Sequence, residues 1–169
     1  MKEYTGEYGE AINLSRLKVP LMSSGEYTKA HGGLVILCHD AVIEYEGGFL
    51  LVEREVAPAK GKLWFVGGRV TRGVSMVDSL RQKVKEECGL ELEGIREIGV
   101  ARTSFLSDPF GHGKGTDTFN VIFYGKGRGE LKLDLWHKNP CIVTRGNYAS
   151  LREGLHPYVR DFLELAFQR

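Results

Sequence analysis

The most regular hydrophobic pattern in the chain lies between residues 75 and 89. Apolar side chains recur there at every fourth position, as on one buried face of an α-helix. These positions are Met76, Leu80, Val84 and Cys88. Ser75 with Asp78 three residues later is typical of a helix start, and Gly89 suits the left-handed residue that ends a helix. The sequence therefore predicts an amphipathic helix here.

Short apolar runs on both sides of this helix indicate β-strands. Residues 34–43 and 49–52 flank Gly47-Gly48, which predicts a hairpin turn. Further strands are predicted at residues 95–103, 119–124 and 130–135, and a closing helix at residues 157–167. Strands interrupted by one helix and finished by another favour the α/β class, as an α/β/α sandwich around a mixed sheet.

Residues 1–30 form a mixed lead-in, here called the N-terminal arm, ahead of a domain predicted over residues 31–169. A short amphipathic helix is predicted at residues 8–17, because Ala11, Leu14 and Leu17 are in helical step. The arm either contributes to a homodimer or lies against the domain, and the sequence leaves both arrangements open.

Composition excludes few functions. Of the 169 residues, 42% are hydrophobic and 27% charged, as in ordinary soluble domains, and one domain is expected. A net charge of +1 gives no reason to expect nucleic acid or an anionic membrane as a partner. No apolar stretch approaches the roughly 18 residues of a membrane span, and three scattered cysteines fit no zinc or disulfide pattern. A cytoplasmic protein with reduced thiols is expected.

Two adjacent carboxylates, Glu86 and Glu87, stand near the end of the predicted helix, downstream of the Gly67-Gly68 turn. Mg²⁺ prefers carboxylate and carbonyl oxygens, and it usually retains water and substrate phosphates. The order strand, glycine turn, helix and paired carboxylates therefore predicts a site for Mg²⁺, or for Mn²⁺, with a phosphate group. The alternative is that both glutamates are solvated or paired with Lys83 and Lys85.

This stretch resembles the Nudix box, the family pattern G-x5-E-x7-R-E-U-x-E-E-x-G-U in which U is a bulky aliphatic residue. The matching residues are Gly68, Val84, Glu86, Glu87, Gly89 and Leu90. Three polar positions differ, because Val74 replaces the loop glutamate, Gln82 the arginine and Lys83 the first glutamate of the helix. The resemblance implies the Nudix-type α/β/α sandwich over residues 33–165, and a metal held by Gly67, Glu86 and Glu87.

Beyond the box, the chain resembles the GDP-mannose mannosyl hydrolases of that family. The residues that carry this resemblance are Glu53-Arg54, Pro58-Ala59-Lys60-Gly61, Trp64-Phe65-Val66, Gly67-Gly68-Arg69-Val70 and Gly115-Thr116-Asp117. Those enzymes also depart from the box at its first helix glutamate. They use instead a histidine in the loop after the last sheet strand, and His137 is the residue at that place here.

The resemblance also implies roles for individual side chains. Arg54 and Arg69 would contact the leaving diphosphate, whose oxygens suit guanidinium forks. Lys60 and Asp117 are further candidates for substrate binding. His137 is the candidate general base, because an imidazole accepts a proton from water near neutral pH. His112, in a glycine-rich loop at residues 107–117, is the rival base.

Two classes of function follow. The first is a Mg²⁺-dependent hydrolase of a nucleoside diphosphate linked to another moiety, with a nucleotide-sugar favoured and attack at the anomeric carbon. A Nudix pyrophosphatase that attacks phosphorus in an ADP-ribose-like substrate is the alternative reaction. The second class is a Nudix-fold module or sensor that binds a small nucleotide without turnover, which Val74, Gln82 and Lys83 favour. Lys83 lies one helical turn before Glu87, so its ammonium would compete with a divalent ion.

Overall fold

The computed structural model describes residues 2–8 and 10–168. Its strands are β1 (Ile36–Tyr45), β2 (Gly48–Arg54), β3 (Leu63–Trp64), β4 (Val66–Arg69), β5 (Glu91–Phe105), β6 (Thr116–Arg128) and β7 (His137–Val143). Its α-helices are α1 (Ser24–His31), α2 (Met76–Cys88), α3 (Arg145–Leu151) and α4 (Pro157–Phe167). Single 3₁₀ turns occur at Leu14–Leu17 and Arg152–Gly154. In these described ranges no helix is both long and apolar enough to cross a membrane.

All seven strands belong to one mixed sheet. Five of them follow the order β3-β2-β1-β6-β5, and β4 and β7 pair with it outside this order. The central pair, β1 and β6, is parallel, with Ile36 opposite Thr118, and the other pairings are antiparallel. β1 pairs with β4 through its first half and with β2 through its second half, while β7 pairs with β2. Because β4 and β2 share one edge of β1, the chain between them forms one wall of a cleft.

Helices cover both faces of the sheet and give two apolar cores. On one face, Leu80 and Val84 of α2 pack against the sheet and are fully buried. On the other face, Val159 and Leu163 of α4 are buried in the same way. Alternate residues of each central strand feed the two cores, since neighbouring side chains of a strand point to opposite faces. The predicted α/β/α sandwich around a mixed sheet is confirmed.

The helix predicted from residues 75–89 is confirmed together with both of its ends. The Ser75 hydroxyl accepts a hydrogen bond from the Asp78 amide, and Gly89 ends α2 with φ at 76°. The hairpin before it is also confirmed, although its turn lies at Glu46 and Gly47, both with positive φ, one residue earlier than predicted.

The strand predicted at residues 130–135 is wrong. Leu131 and Leu133 do pack against the core beside α2, which explains the alternating pattern. The backbone, however, bonds to a helix end and to no strand, because Lys132 donates to the Cys88 carbonyl at 2.9 Å and Asp134 to the Glu87 carbonyl at 3.0 Å. This segment satisfies carbonyls that a helix C-terminus leaves free, and it brings Asp134 beside Glu87.

The arm differs from its prediction. Of the helix predicted at residues 8–17, only a 3₁₀ turn at Leu14–Leu17 forms in the described residues, which do not include Gly9. The α-helix of the arm is α1, which begins with a capping box between Ser23 and Glu26. This box has the same Ser-x-x-acid spacing as the start of α2 and is the local signal for the helix. α1 lies against the cleft, which gives the arm a place at the site.

Candidate functional site

The cleft lies on the α4 side of the sheet, is open to solvent and has a volume of about 150 Å³. The walls come from α1, from β1 to β6 and from the loop after β2. The polar and charged residues lining it are Asp40, Arg54, Arg69, Thr103, Thr116, Thr118 and Asn120, with Tyr27 and His31 from α1. This mixture of aromatic walls with a few polar and charged groups suits a nucleotide ligand.

Glu87 is the carboxylate of α2 that points to the cleft end at Gly67. Its side chain is only 14% exposed, and its Oε2 accepts a hydrogen bond from the Gly67 amide at 3.2 Å. Burial raises the pKa of Glu87 to about 7, although the Lys83 ammonium acts in the opposite direction. A buried carboxylate of this kind favours a neighbouring cation.

Lys83 occupies the place beside the two glutamates. Its Nζ lies 3.5 Å from Oε2 of Glu86 and 3.8 Å from Oε1 of Glu87. Glu86 is half exposed and also accepts a hydrogen bond from Gln82 at 2.9 Å. Both replacements in the helix therefore face the carboxylates, and Lys83 supplies a positive charge where the family pattern places a third carboxylate.

The donor set still fits a magnesium ion that arrives with a diphosphate. Mg²⁺ is commonly held by one or two carboxylates, with water and substrate phosphates completing its shell. Glu86 and Glu87 supply two carboxylates, and the Gly67 carbonyl is the proposed third donor. No group of three or more acidic, histidine or cysteine side chains forms a ready-made metal cage in the part of the chain that the structure describes. Lys83, whose side chain is 28% exposed, would have to move aside.

His137 is the first residue of β7 and is 8% exposed, so the prediction that it lies in a loop is wrong. Its Nδ1 lies 2.8 Å from Oδ1 of Asp134, and its Nε2 lies 4.0 Å from Oε2 of Glu87. A carboxylate at Nδ1 favours the tautomer with its proton there, which leaves Nε2 as a proton acceptor. The strand pairing of His137 with Arg54 fixes this position.

Arg54 and Arg69 both line the cleft. Arg54 donates from Nε to the Pro58 carbonyl at 2.8 Å, and burial lowers its pKa against the opposing effect of Asp40 and Glu87. The guanidinium of Arg69 lies 4.2 Å from the centre of the Tyr27 ring, a cation–π contact. The structure thus brings both arginines to one cleft together with Gly67.

Asp40 is a cleft residue that sequence reasoning missed. It is 6% exposed, and its Oδ2 accepts a hydrogen bond from the Tyr158 hydroxyl at 2.5 Å. Burial raises its pKa to about 6, while Tyr158 and Arg54 favour the ionised form. A signal was present, because His39-Asp40 interrupts the apolar run of β1 with two polar residues that are both buried.

Six candidates are not among the residues that line the cleft. Glu87 and His137 border it, because Glu87 bonds to Gly67 and His137 pairs with Arg54, and Glu86 is next to Glu87. Lys60, Asp117 and His112 are outside the lining as well. Lys60 is exposed, and only its neighbours Pro58 and Ala59 form the wall. Asp117 pairs with Arg102 at 2.6 Å on the other face of β6, since Thr116 and Thr118 face the cleft. His112 stands behind the wall, where its Nε2 lies 2.8 Å from Nδ1 of His31.

Comparison with known proteins agrees with this geometry. The family model of the NUDIX domain matches residues 38–155, which include the cleft strands, α2 and His137. The chain belongs to the Nudix hydrolase family. Enzymes of this family generally use divalent metals such as Mg²⁺ or Mn²⁺.

Individual relatives support the assignment. The chain is 31% identical over 127 residues to the low-salt glycan biosynthesis protein Agl8 of Haloferax volcanii, covering 74% of this chain and 78% of Agl8. A NUDIX hydrolase from Nitrosomonas europaea superposes with a TM-score of 0.64 at 21% identity, covering 80% of this chain and 90% of its own. The NUDIX domain of Shewanella oneidensis NrtR, complexed with ADP ribose, gives 0.62 at 16% identity, covering 88% and 99%. The two structures share the fold with this Nudix protein.

Proposed function

We propose that this Nudix protein hydrolyses a nucleoside diphosphate linked to a sugar and releases the free sugar. The observation that carries the proposal is the arrangement of Asp134, His137 and Glu87. The imidazole is buried, engaged by a carboxylate at Nδ1 and directed by Nε2 toward the carboxylate best placed to hold a metal.

His137 would act as the general base. Its Nε2 accepts a proton from the attacking water, while Asp134 keeps the other nitrogen protonated and fixes the ring. Such a base is needed because Lys83 replaces the helix glutamate that the family pattern places there. His137 belongs to β7, whereas the glutamate of the family pattern belongs to α2. A base on β7 would approach the substrate from a different side than a base on α2, which favours attack at the anomeric carbon over attack at phosphorus.

The other residues would stabilise the leaving diphosphate. Glu86, Glu87 and the Gly67 carbonyl would hold Mg²⁺, which supplies positive charge at the diphosphate. Arg54 and Arg69 face the same cleft, and guanidinium groups fit pairs of phosphate oxygens. The cleft also offers aromatic and hydroxyl side chains, which suit the rings and hydroxyls of a nucleotide-sugar.

One relative adds support for a sugar. Agl8 carries glycan biosynthesis in its name, and it is similar to this chain over most of both proteins. A role in the handling of activated sugars fits that likeness. Among nucleotide-sugars, GDP-mannose is the substrate proposed first, because many of the residues shared with the mannosyl hydrolases, including Arg54, Trp64, Gly67 and Arg69, line the cleft.

Hydrolysis in ¹⁸O-labelled water tests the proposal. The purified protein with Mg²⁺ is incubated with GDP-mannose, with other nucleotide-sugars and with ADP-ribose, and the products are analysed by mass spectrometry. The expected result is label in the released sugar and none in phosphate. Label in a phosphate product would refute carbon attack and identify a pyrophosphatase of the ADP-ribose-cleaving type.

A second candidate function is a nucleotide-binding module without turnover. The specific observation in its favour is that Lys83 pairs with both Glu86 and Glu87 and so neutralises the metal site. This candidate predicts nucleotide affinity that does not depend on Mg²⁺, and no product from any substrate of the screen. Calorimetric titration of GDP with and without Mg²⁺ separates it from the enzyme.

A further inference from the structure

Two histidines that the proposed chemistry does not use are in direct contact at the rim of the cleft. His31 ends α1 and lines the cleft, and its Nδ1 lies 2.8 Å from Nε2 of His112, in the loop between β5 and β6. Both rings are nearly buried, with His31 7% exposed and the side chain of His112 10% exposed. Residues 81 positions apart are thus joined by one short hydrogen bond.

The backbone determines which nitrogen carries each proton. The Lys114 amide donates to Nδ1 of His112 at 3.1 Å, so that nitrogen is an acceptor and has no proton. His112 must then carry its proton on Nε2 and donate it to Nδ1 of His31. His31 is in turn left with its proton on Nε2. The Lys114 amide therefore fixes the tautomer of His112, and His112 in turn fixes that of His31.

The outer nitrogen of His31 is the free end of this chain of hydrogen bonds. Within residues 2–8 and 10–168, no hydrogen-bond partner is found for Nε2 of His31, and that nitrogen is not among the fully enclosed unpaired atoms. Burial lowers the pKa of His31 below its usual value, and His112 acts in the same direction. The ring is therefore an uncharged donor at neutral pH, held in the wall of the cleft.

Aromatic packing holds this donor in place. Phe110 contacts the His31 ring edge-on at a centroid distance of 4.9 Å, and it contacts Tyr27 in the same manner at 5.2 Å. Asp108 anchors the loop by accepting three backbone amides, those of Phe110, His112 and Gly113. The loop and α1 consequently form one ordered wall, here called the α1 wall, made of Tyr27, His31, Phe110 and His112.

We propose that Nε2–H of His31 is the hydrogen-bond donor that recognises an uncharged oxygen acceptor on the nucleoside half of the ligand. The assignment rests on the proposed function, which places the sugar at the His137 end of the cleft. β4 runs from Gly67, bonded to Glu87, to Arg69, stacked on Tyr27 of the α1 wall. A diphosphate held along this strand leaves its nucleoside beside α1, and His31 lies one helical turn from Tyr27 on the same side.

Three variants test the donor. His31→Phe keeps the ring packing but removes the N–H, and we expect the Kd for GDP to rise about five- to tenfold, the usual effect of one lost hydrogen bond. His31→Gln places an amide N–H near the position of Nε2 and is expected to restore most of the affinity. Lys29→Ala, on the exposed side of α1, is the matched control and should leave the Kd unchanged.

The acceptor is either a base carbonyl or a ribose hydroxyl, and the choice of nucleotide separates them. If His31 contacts the guanine carbonyl, the wild type prefers GDP to ADP and His31→Phe loses that preference. If it contacts the 2′-hydroxyl of the ribose, His31→Phe weakens GDP and ADP equally, and 2′-deoxy-GDP binds the wild type and His31→Phe with the same Kd. Either pattern supports a donor role.

Failure of this inference is distinct from failure of the proposed function. Unchanged GDP binding in His31→Phe, with a wild type that binds GDP, overturns the role of His31 alone. A wild type that binds no nucleotide refutes the proposed function, and this assignment with it. Long-range ¹H–¹⁵N spectra of the imidazoles provide an independent check, because a proton on Nδ1 of His31 would also overturn the proposal.

Discussion

Lys83 is the residue whose replacement should change metal binding most. Its ammonium lies within 4 Å of both glutamates of α2, where a divalent ion would bind. We expect Lys83→Gln to bind Mg²⁺ more tightly than the wild type, and Lys83→Glu, which restores the residue of the family pattern, to bind it more tightly still.

The size of the effect follows from the charges and the distances. Two unit charges 4 Å apart interact by about 1 kcal/mol in water, so an ammonium and a divalent ion repel by about 2 kcal/mol at the same separation. Lys83 is partly exposed, so screening by solvent makes the water limit the appropriate one. Because Lys83 would move aside when the ion binds, these energies are upper limits. Its removal should tighten binding by up to about 30-fold, and its replacement by a carboxylate by up to about 1,000-fold, since repulsion then becomes attraction.

Isothermal titration with Mg²⁺ at low ionic strength measures these differences. Lys85→Gln is the matched control, because Lys85 lies on the same helix but pairs with Glu91 at 2.8 Å and donates to the Gly89 carbonyl. That variant loses the same charge without touching the site, so its affinity should equal that of the wild type. Equal gains in Lys83→Gln and Lys85→Gln would refute the reasoning, because they would show only an effect of net charge.

Four further outcomes are expected at the site. Glu87→Gln should abolish Mg²⁺ binding and turnover without lowering Tm; a fully active variant would remove Glu87 from the metal site. His137→Gln should lose about 10²–10⁴ in kcat, and Asp134→Asn about 10–100-fold; a larger loss in Asp134→Asn would contradict its supporting role. Burial raises the pKa of Asp40 to about 6 in the folded protein, from a reference value of 3.8. The free energy of unfolding therefore falls as the pH rises from about 4 to about 6, because the folded state resists ionisation of this carboxyl. Urea unfolding should show Asp40→Asn gaining up to about 3 kcal/mol over the wild type between pH 4 and 7; a constant difference would refute the shift.

The parts of the fold that the sequence predicts correctly are those with local causes. α2 is one example, since its apolar spacing, its Ser75 cap and its Gly89 stop all lie within 15 residues of chain. The β1–β2 hairpin is another, because two adjacent strands need only a short turn between them. The Nudix resemblance rests on these same local elements.

The errors arise where distant contacts decide the structure. Residues 130–135 alternate as a strand would, yet the free carbonyls of α2 are the partners that they bond to. Asp40 and His31 become part of the cleft through Tyr158 and His112, which lie 118 and 81 residues away along the chain. The sequence around a polar residue does not indicate whether a partner so far away along the chain will pack against it.

The hydrogen bond between Tyr158 and Asp40 has a consequence for the order of folding. The cleft is lined by Asp40 from β1, Gly67 from β4 and Asn120 from β6. Tyr158, the hydroxyl partner of Asp40, comes from α4, near the end of the described chain. Contacts between residues far apart in sequence form slowly, and a chain emerging from the ribosome cannot make them until both partners exist. While the protein is being synthesised, the hairpin and α2 can form early, but Asp40 stays without its partner until α4 docks.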